Sequence, residues 1–322
     1  MSINITEYLG NLEQEKIAKR WDYLHRYKLL YVNDQFGKGT FLQTKNNVKK
    51  VFLPHSNQTV WVKRFVEQSQ QLIDRNIANE ILFSRIYNFL GVNGIESYPC
   101  FFMNPRVQEK SPSRKIVGIC SKDIKSTDGL DVDILGNDYG IDFAKIFHKS
   151  LDGMIKNKQE FIDTELKTNP NAEELYNRLF VSYILDLILL LADNHLGNKF
   201  VIAKKDGGYE DIVSFDFEDN NINYDGYFNF KGGFENCVIP KGRFKGRNNC
   251  ENLKERLRYI KELYIEGKLP YDCVVLFEKL QELNLDKLIR DTERETGYPI
   301  TKVKHVDRIR KLVDYNQEFM AR

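Results

Sequence analysis

The stretch that most constrains this chain is 175–220, LYNRLFVSYILDLILLLADNHLGNKFVIAKKDGGYEDIVSFDFEDN. It opens as a helix too apolar to be anything but buried. Asn177, Arg178, Ser182 and Asp186 interrupt the apolar run, and a charge at a bilayer centre is costly, so a core helix is expected and not a membrane span. A short loop follows, holding Asp193, His195 and Asn198. Residues 199–204 (KFVIAK) and 208–215 (GYEDIVSF) then read as two strands, with Lys205, Asp206 and Gly207 as the hairpin turn between them. Closing that hairpin brings its open ends, Asn198 and Asp216, together although 18 residues (216 − 198) separate them in sequence. Two side-chain oxygens so placed suit Mg²⁺ shared with a nucleotide's phosphates. Asp193, in the adjoining loop, is placed to receive the proton of an attacking hydroxyl.

Composition sets the frame. The 322 residues allow one or two domains with a large core. A net charge of +2 gives no global electrostatic case for nucleic-acid binding. Cys100, Cys120, Cys237, Cys250 and Cys273 are odd in number and lack metal-ligand spacing, which favours reduced thiols. The N-terminus has no basic-then-apolar signal layout.

Residues 1–27 form a polar lead-in, amphipathic and helical over 4–27. At 28–44 a strand, a turn holding Gly37, Lys38, Gly39 and Thr40, and a returning strand (FLQT) make a flap whose backbone N–H groups face phosphate oxygens. An ordinary hairpin turn fits the same residues. Strand 59–66 (TVWVKRFV) sets Lys63 between Trp61 and Phe65 on one face. Such a lysine either snorkels to water or meets an anion. Helix 76–90 carries Glu80, the natural partner of Lys63; a solvated Glu80 stays open, as do Glu67 and Asp74 in that role.

Strands at 97–104 and 115–120 lead to a composition shift, so the domain boundary falls near 125. Ile119 and Ser121 lie in the hinge expected there, whose backbone meets a purine. The remainder reads as helices over 141–167, 171–192, 251–266, 270–283, 284–295 and 301–320. Between them, 217–250 is long and irregular, with the basic cluster Lys241, Arg243, Lys245 and Arg247. Those charges read either as a solvated loop or as a contact for an acidic segment.

The sequence Asp193-Asn-His195-Leu-Gly-Asn198, then a hairpin, then Ser-Phe-Asp216-Phe, resembles the HipA-like and CtkA-like bacterial serine/threonine kinases over about 28–220. It is similar also to the catalytic core of phosphatidylinositol kinases. The resemblance implies an α+β, bilobal protein-kinase-like fold, with an N-lobe at 1–125 and a helical C-lobe at 126–322. It implies ATP and Mg²⁺ as cofactors, Asp193 as catalytic base, Asn198 and Asp216 as metal ligands and Lys63 as the phosphate contact. Glu80 orients that lysine, His195 structures the loop, and Gly37 to Thr40 cover the phosphates. Thr40 matches the position at which HipA-like kinases modify themselves. A serine/threonine protein substrate and an antitoxin or host target are the implied partners, in the cytoplasm or as a delivered effector. Three departures stand: Phe217-Glu218 replaces Phe-Gly, no Ala-Pro-Glu follows, and the flap has two glycines. A lipid or small-molecule kinase and a nucleotide-binding scaffold are the alternative readings.

Overall fold

The computed structural model describes residues 30–33, 47–53, 58–65, 69–103, 116–122, 131–134, 151–165, 170–191, 198–203, 209–217, 238–240 and 250–321. The protein mixes α and β structure. The chain divides into two compact units, one of Met1–Arg85, Ile95–Leu130 and Asp286–Val303, the other of Ile86–Gly94, Asp131–Leu285 and Lys304–Arg322.

The first unit holds a five-stranded sheet of β1 (Leu30–Asn33), β2 (Asn47–Leu53), β3 (Gln58–Arg64), β4 (Ser97–Met103) and β5 (Ile116–Lys122), in the order β1-β4-β5-β3-β2. β-branched and aromatic residues make β3 a strand, as its sequence predicts. The partner of β1 among the described residues is β4, which runs parallel to it. The glycine turn and the returning strand expected after β1 lie outside the described residues. The sequence pattern does not announce β2 as a strand. Its alternation is blurred by Lys49 and Lys50, and lysines are what a strand at a sheet edge carries.

Helix α1 (Gln70–Phe89) begins six residues before the helix expected from the sequence, 76–90. Ser69 explains the early start: its carbonyl accepts the Ile73 N–H at 3.0 Å and its hydroxyl accepts the Leu72 N–H at 3.3 Å, an N-cap. The helix ends at Gly91, where φ is +80°. There the Val92 N–H reaches the Tyr87 carbonyl at 2.9 Å and the Gly91 N–H reaches that of Asn88 at 3.2 Å, the glycine-dependent helix stop. A Cβ on Gly91 would meet Lys279 Nζ at 2.6 Å.

The second unit contains α2 (Leu151–Lys156), α3 (Lys158–Glu165), α4 (Ala172–Ile188), α5 (Leu253–Ile265), α6 (Tyr271–Glu282) and α8 (Val306–Ala321). Helix α7 (Leu285–Thr296), expected from the sequence to group with these, belongs with the first unit from Asp286 onward. As its sequence requires, α4 is buried along most of its length, and it packs against α3 and α6. Among the described residues no helix is long and apolar enough to cross a membrane.

Strands β7 (Lys199–Ala203) and β8 (Tyr209–Ser214) form the antiparallel hairpin read from the sequence, with Lys199 opposite Ser214. The sequence pattern does not reveal β6 (Asp131–Ile134), which pairs with β7 to complete a three-stranded sheet. Nor does it reveal a two-stranded piece inside the stretch expected to be irregular, β9 (Val238–Pro240) with β10 (Cys250–Asn252). Three-residue strands carry too little period to be read. Cys120 and Cys273 are free and buried, and burial pushes both thiols well up from their ordinary range, so both stay protonated.

Candidate active site

Lys63 and Glu80 both belong to the first unit. Lys63 sits on β3 between Val48 of β2 and Ile119 of β5. Its Nζ lies 3.0 Å from Glu80 Oε1 on α1, with side-chain exposures of 12% and 1%. A carboxylate so buried must be paired to stay charged. Lys63 Nζ also lies 5.6 Å from the centre of the Phe65 ring. The lysine that the sequence leaves between water and an anion has met an anion. Of the other acidic candidates, Asp74 accepts a hydrogen bond from Gln70, and Glu67 lies outside the described residues.

Asn198 and Asp216 belong to the second unit. The hairpin's open ends are tied by the Phe215 N–H donating to the Asn198 carbonyl at 3.0 Å. Asn198 is buried and Asp216 is half-buried. Asp216 has φ +67°, a left-handed backbone in a non-glycine residue. Such conformations cost about 1 kcal/mol or more and cluster at functional sites. Aspartate is among the few residues that tolerate them. Two oxygen-bearing side chains at one end of one hairpin fit the donor chemistry of Mg²⁺. Asn198 and Asp216 could hold that ion together with a nucleotide's phosphates.

Beneath these two residues lies a buried polar network that sequence reasoning does not find. Lys199 Nζ donates to Ser182 Oγ at 2.6 Å, Asp186 Oδ2 at 3.0 Å and Ser214 Oγ at 3.2 Å. The two serine hydroxyls are 3.0 Å apart. Tyr87 donates its hydroxyl to Asp186 Oδ1. Burial, followed by the Asp186 charge, holds that phenol well above its ordinary pKa, so it stays a donor. The Tyr87 ring packs on Phe217, centroids 4.8 Å apart. Lys199 adjoins Asn198 and Ser214 precedes Asp216 by two residues, so the network grips both strands of the hairpin next to its open end. A signal for it exists in the sequence: Ser182 and Asp186 interrupt an apolar helix, and a buried aspartate requires a cation.

A loop adds a further hold. The Ser214 N–H donates to the Asn93 carbonyl at 2.8 Å, and Asn93 Nδ2 donates to Asp211 Oδ2 at 2.5 Å. Helix α4 itself stops at Leu190, whose φ is +60°. The Leu191 N–H there returns to the Asp186 carbonyl at 3.0 Å. Fully buried leucine holds a position that glycine usually takes. The candidate catalytic loop begins three residues later, at Asp193.

The hinge expectation needs correcting. Ile119 and Ser121 lie inside β5, paired with Lys63 and Trp61 of β3 on one side and with Pro99 and Ser97 of β4 on the other. A central strand uses its backbone groups in its two ladders, so these residues have none to offer a purine. Ser121 Oγ is also engaged, 2.9 Å from Ser97 Oγ. Residues 123–130, which follow β5, lie outside the described residues. Asp193, His195, the flap residues Gly37, Lys38, Gly39 and Thr40, and the basic cluster of Lys241 to Arg247 lie outside them too.

No protein-family model matches the chain, and no curated protein matches it by sequence. Solved structures do. The crystal structure of a Helicobacter pylori proinflammatory kinase, CtkA, is similar at TM-score 0.50 and 15% identity, covering 88% of this chain and 95% of that one. The Shewanella oneidensis MR-1 toxin HipA, solved with HipB and operator DNA, is a fainter match: TM-score 0.38, 12% identity, 82% of this chain and 57% of that one. The kinase resemblance read from the motifs thus recurs in three dimensions, and the fold of this chain is similar to that of the CtkA kinase.

Proposed function

We propose that the chain is an ATP- and Mg²⁺-dependent kinase that phosphorylates serine or threonine hydroxyls of proteins. The observation that carries this reading is the buried Lys63–Glu80 ion pair. A strand lysine held by a helical glutamate is how protein kinases fix the charge that meets the α- and β-phosphates of ATP. The fold is then bilobal, with 1–125 as the small lobe and 126–322 as the large one, less the Asp286–Val303 segment.

In this reading Asp193 accepts the proton of the attacking hydroxyl, while His195 shapes its loop. Lys63 neutralises phosphate charge, and Glu80 keeps its ammonium from wandering. Asn198 and Asp216 hold Mg²⁺, whose chemistry is to neutralise charge on the β- and γ-phosphates. The residues at 37–40 cover the phosphates, and Thr40 is the site of self-modification. The resemblance to HipA-like and CtkA-like sequences supports a protein acceptor and a role as toxin or delivered effector.

Thermal denaturation with nucleotide is the test. A ligand at a hundred times its Kd stabilises by about 2.7 kcal/mol. ATP with Mg²⁺ is expected to raise the melting temperature by several degrees, and ATP alone by less than half as much. Lys63→Met is expected to remove most of the shift. Equal shifts with and without the metal, or none, would contradict the assignment.

A further inference from the structure

We infer that Asp286–Val303 is a clamp that sets the position of helix α1, with Tyr298 and Glu295 as positioning residues for the Lys63–Glu80 pair. The catalytic meaning of the clamp rests on the kinase reading; its geometry does not.

The chain enters the first unit at Asp286 and leaves it after Val303. Within this segment Ile289, Thr292, Thr296 and Tyr298 are buried, at 0%, 2%, 0% and 3% exposure. The left-handed turn at Gly297, φ +68°, follows α7 directly. Tyr298 then donates its hydroxyl to the Asp74 carbonyl at 3.3 Å and to Asp74 Oδ1 at 3.4 Å. Burial first, and Asp74 second, push that phenol far up, so it remains a donor.

A second grip lies further along α1. Arg85 Nη2 is 3.2 Å from Glu295 Oε2, and Arg85 Nη1 is 3.5 Å from Glu96 Oε1. The guanidinium stands 5.4 Å over the Tyr98 ring. Tyr98 in turn donates to Glu96 Oε2 at 2.7 Å and, at 3.4 Å, to Glu295 Oε1.

Asp74 and Arg85 are 85 − 74 = 11 residues apart. At about 100° and 1.5 Å per residue they share one face of α1, roughly 16 Å apart. Glu80 lies between them in sequence and on another face, toward Lys63. One segment therefore holds the helix at two points that bracket its glutamate. Rotation or sliding of α1, the motion that would part Glu80 from Lys63, has to break both grips.

The test uses the full chain carrying Tyr298→Phe and Glu295→Gln together. Amide hydrogen exchange across 77–84 is expected to speed by about tenfold, while exchange across 306–321 does not change. ATP turnover, as kcat/KM, is expected to fall about tenfold. In a Glu80→Gln background the same pair of substitutions should cost less than about twofold, because the ion pair they act through is already gone. Unchanged exchange at 77–84, or an equal loss in both backgrounds, would overturn the clamp. Should the double variant fail to fold, Glu295→Gln alone carries the comparison. A wild-type chain that turns over no ATP would refute the kinase reading and leave the exchange result to decide the clamp.

Discussion

Asp216→Asn is expected to leave the chain folded and to lower magnesium-dependent phosphate transfer by on the order of 10²- to 10³-fold, the loss typical when one preorganised charge-stabilising group is removed. The substitution is close to isosteric. Asparagine, like aspartate, tolerates the left-handed backbone at position 216, where φ is +67°. What changes is the charge offered to a divalent cation. The melting temperature without nucleotide should therefore move by no more than about 1 °C, which for a protein of this size is under about 1 kcal/mol. Half-saturation with Mg²⁺ should rise steeply. Asp216→Ala is a worse probe, because alanine lacks both the oxygen and the backbone tolerance. Transfer rates for Asp216→Asn within threefold of wild type would remove Asp216 from the metal site.

Lys199→Met carries the largest expected cost in stability, about 3–5 kcal/mol, because it strands the buried Asp186 without its cation. The two side chains are 6% and 2% exposed, so water cannot take the place of the lost ammonium. Ser182 and Ser214 lose the same donor at once. Adding Asp186→Asn should recover part of the loss. The amide oxygen can still accept the Tyr87 hydroxyl, and no unpaired charge remains. Urea unfolding of wild type, Lys199→Met and the double variant measures this. A loss below about 1 kcal/mol for Lys199→Met would show that the pair is not what holds the base of the hairpin.

Features governed by local period are legible in the sequence. The apolar period of 175–188 implies a buried helix, and α4 is one. The turn Lys205-Asp206-Gly207 between two β-rich runs predicts a hairpin, and Lys199 stands opposite Ser214 as it requires. The alternation of 59–66 puts Lys63 beside aromatics, and Glu80 proves to be its partner. Features set by distant neighbours are not legible. Ile119 and Ser121 read as a hinge because a composition shift follows them, yet strands on both sides claim their backbones. Lys199 looks like one more hairpin lysine; only packing shows that Asp186, thirteen residues earlier on α4, captures it. Helix α7 can be read from the sequence almost to the residue, while its unit cannot, since nothing in 285–296 names Arg85 as its target.

The most direct measurement is transfer of label from γ-³²P ATP by the purified chain, with protein and lipid acceptors side by side and an Asp193→Asn variant in parallel. Mg²⁺-dependent label is expected on protein hydroxyls, resistant to the hydroxylamine that cleaves acyl phosphates, and lost in Asp193→Asn. Label on lipid alone, or no transfer by a chain that binds ATP and Mg²⁺, would contradict the protein-kinase reading.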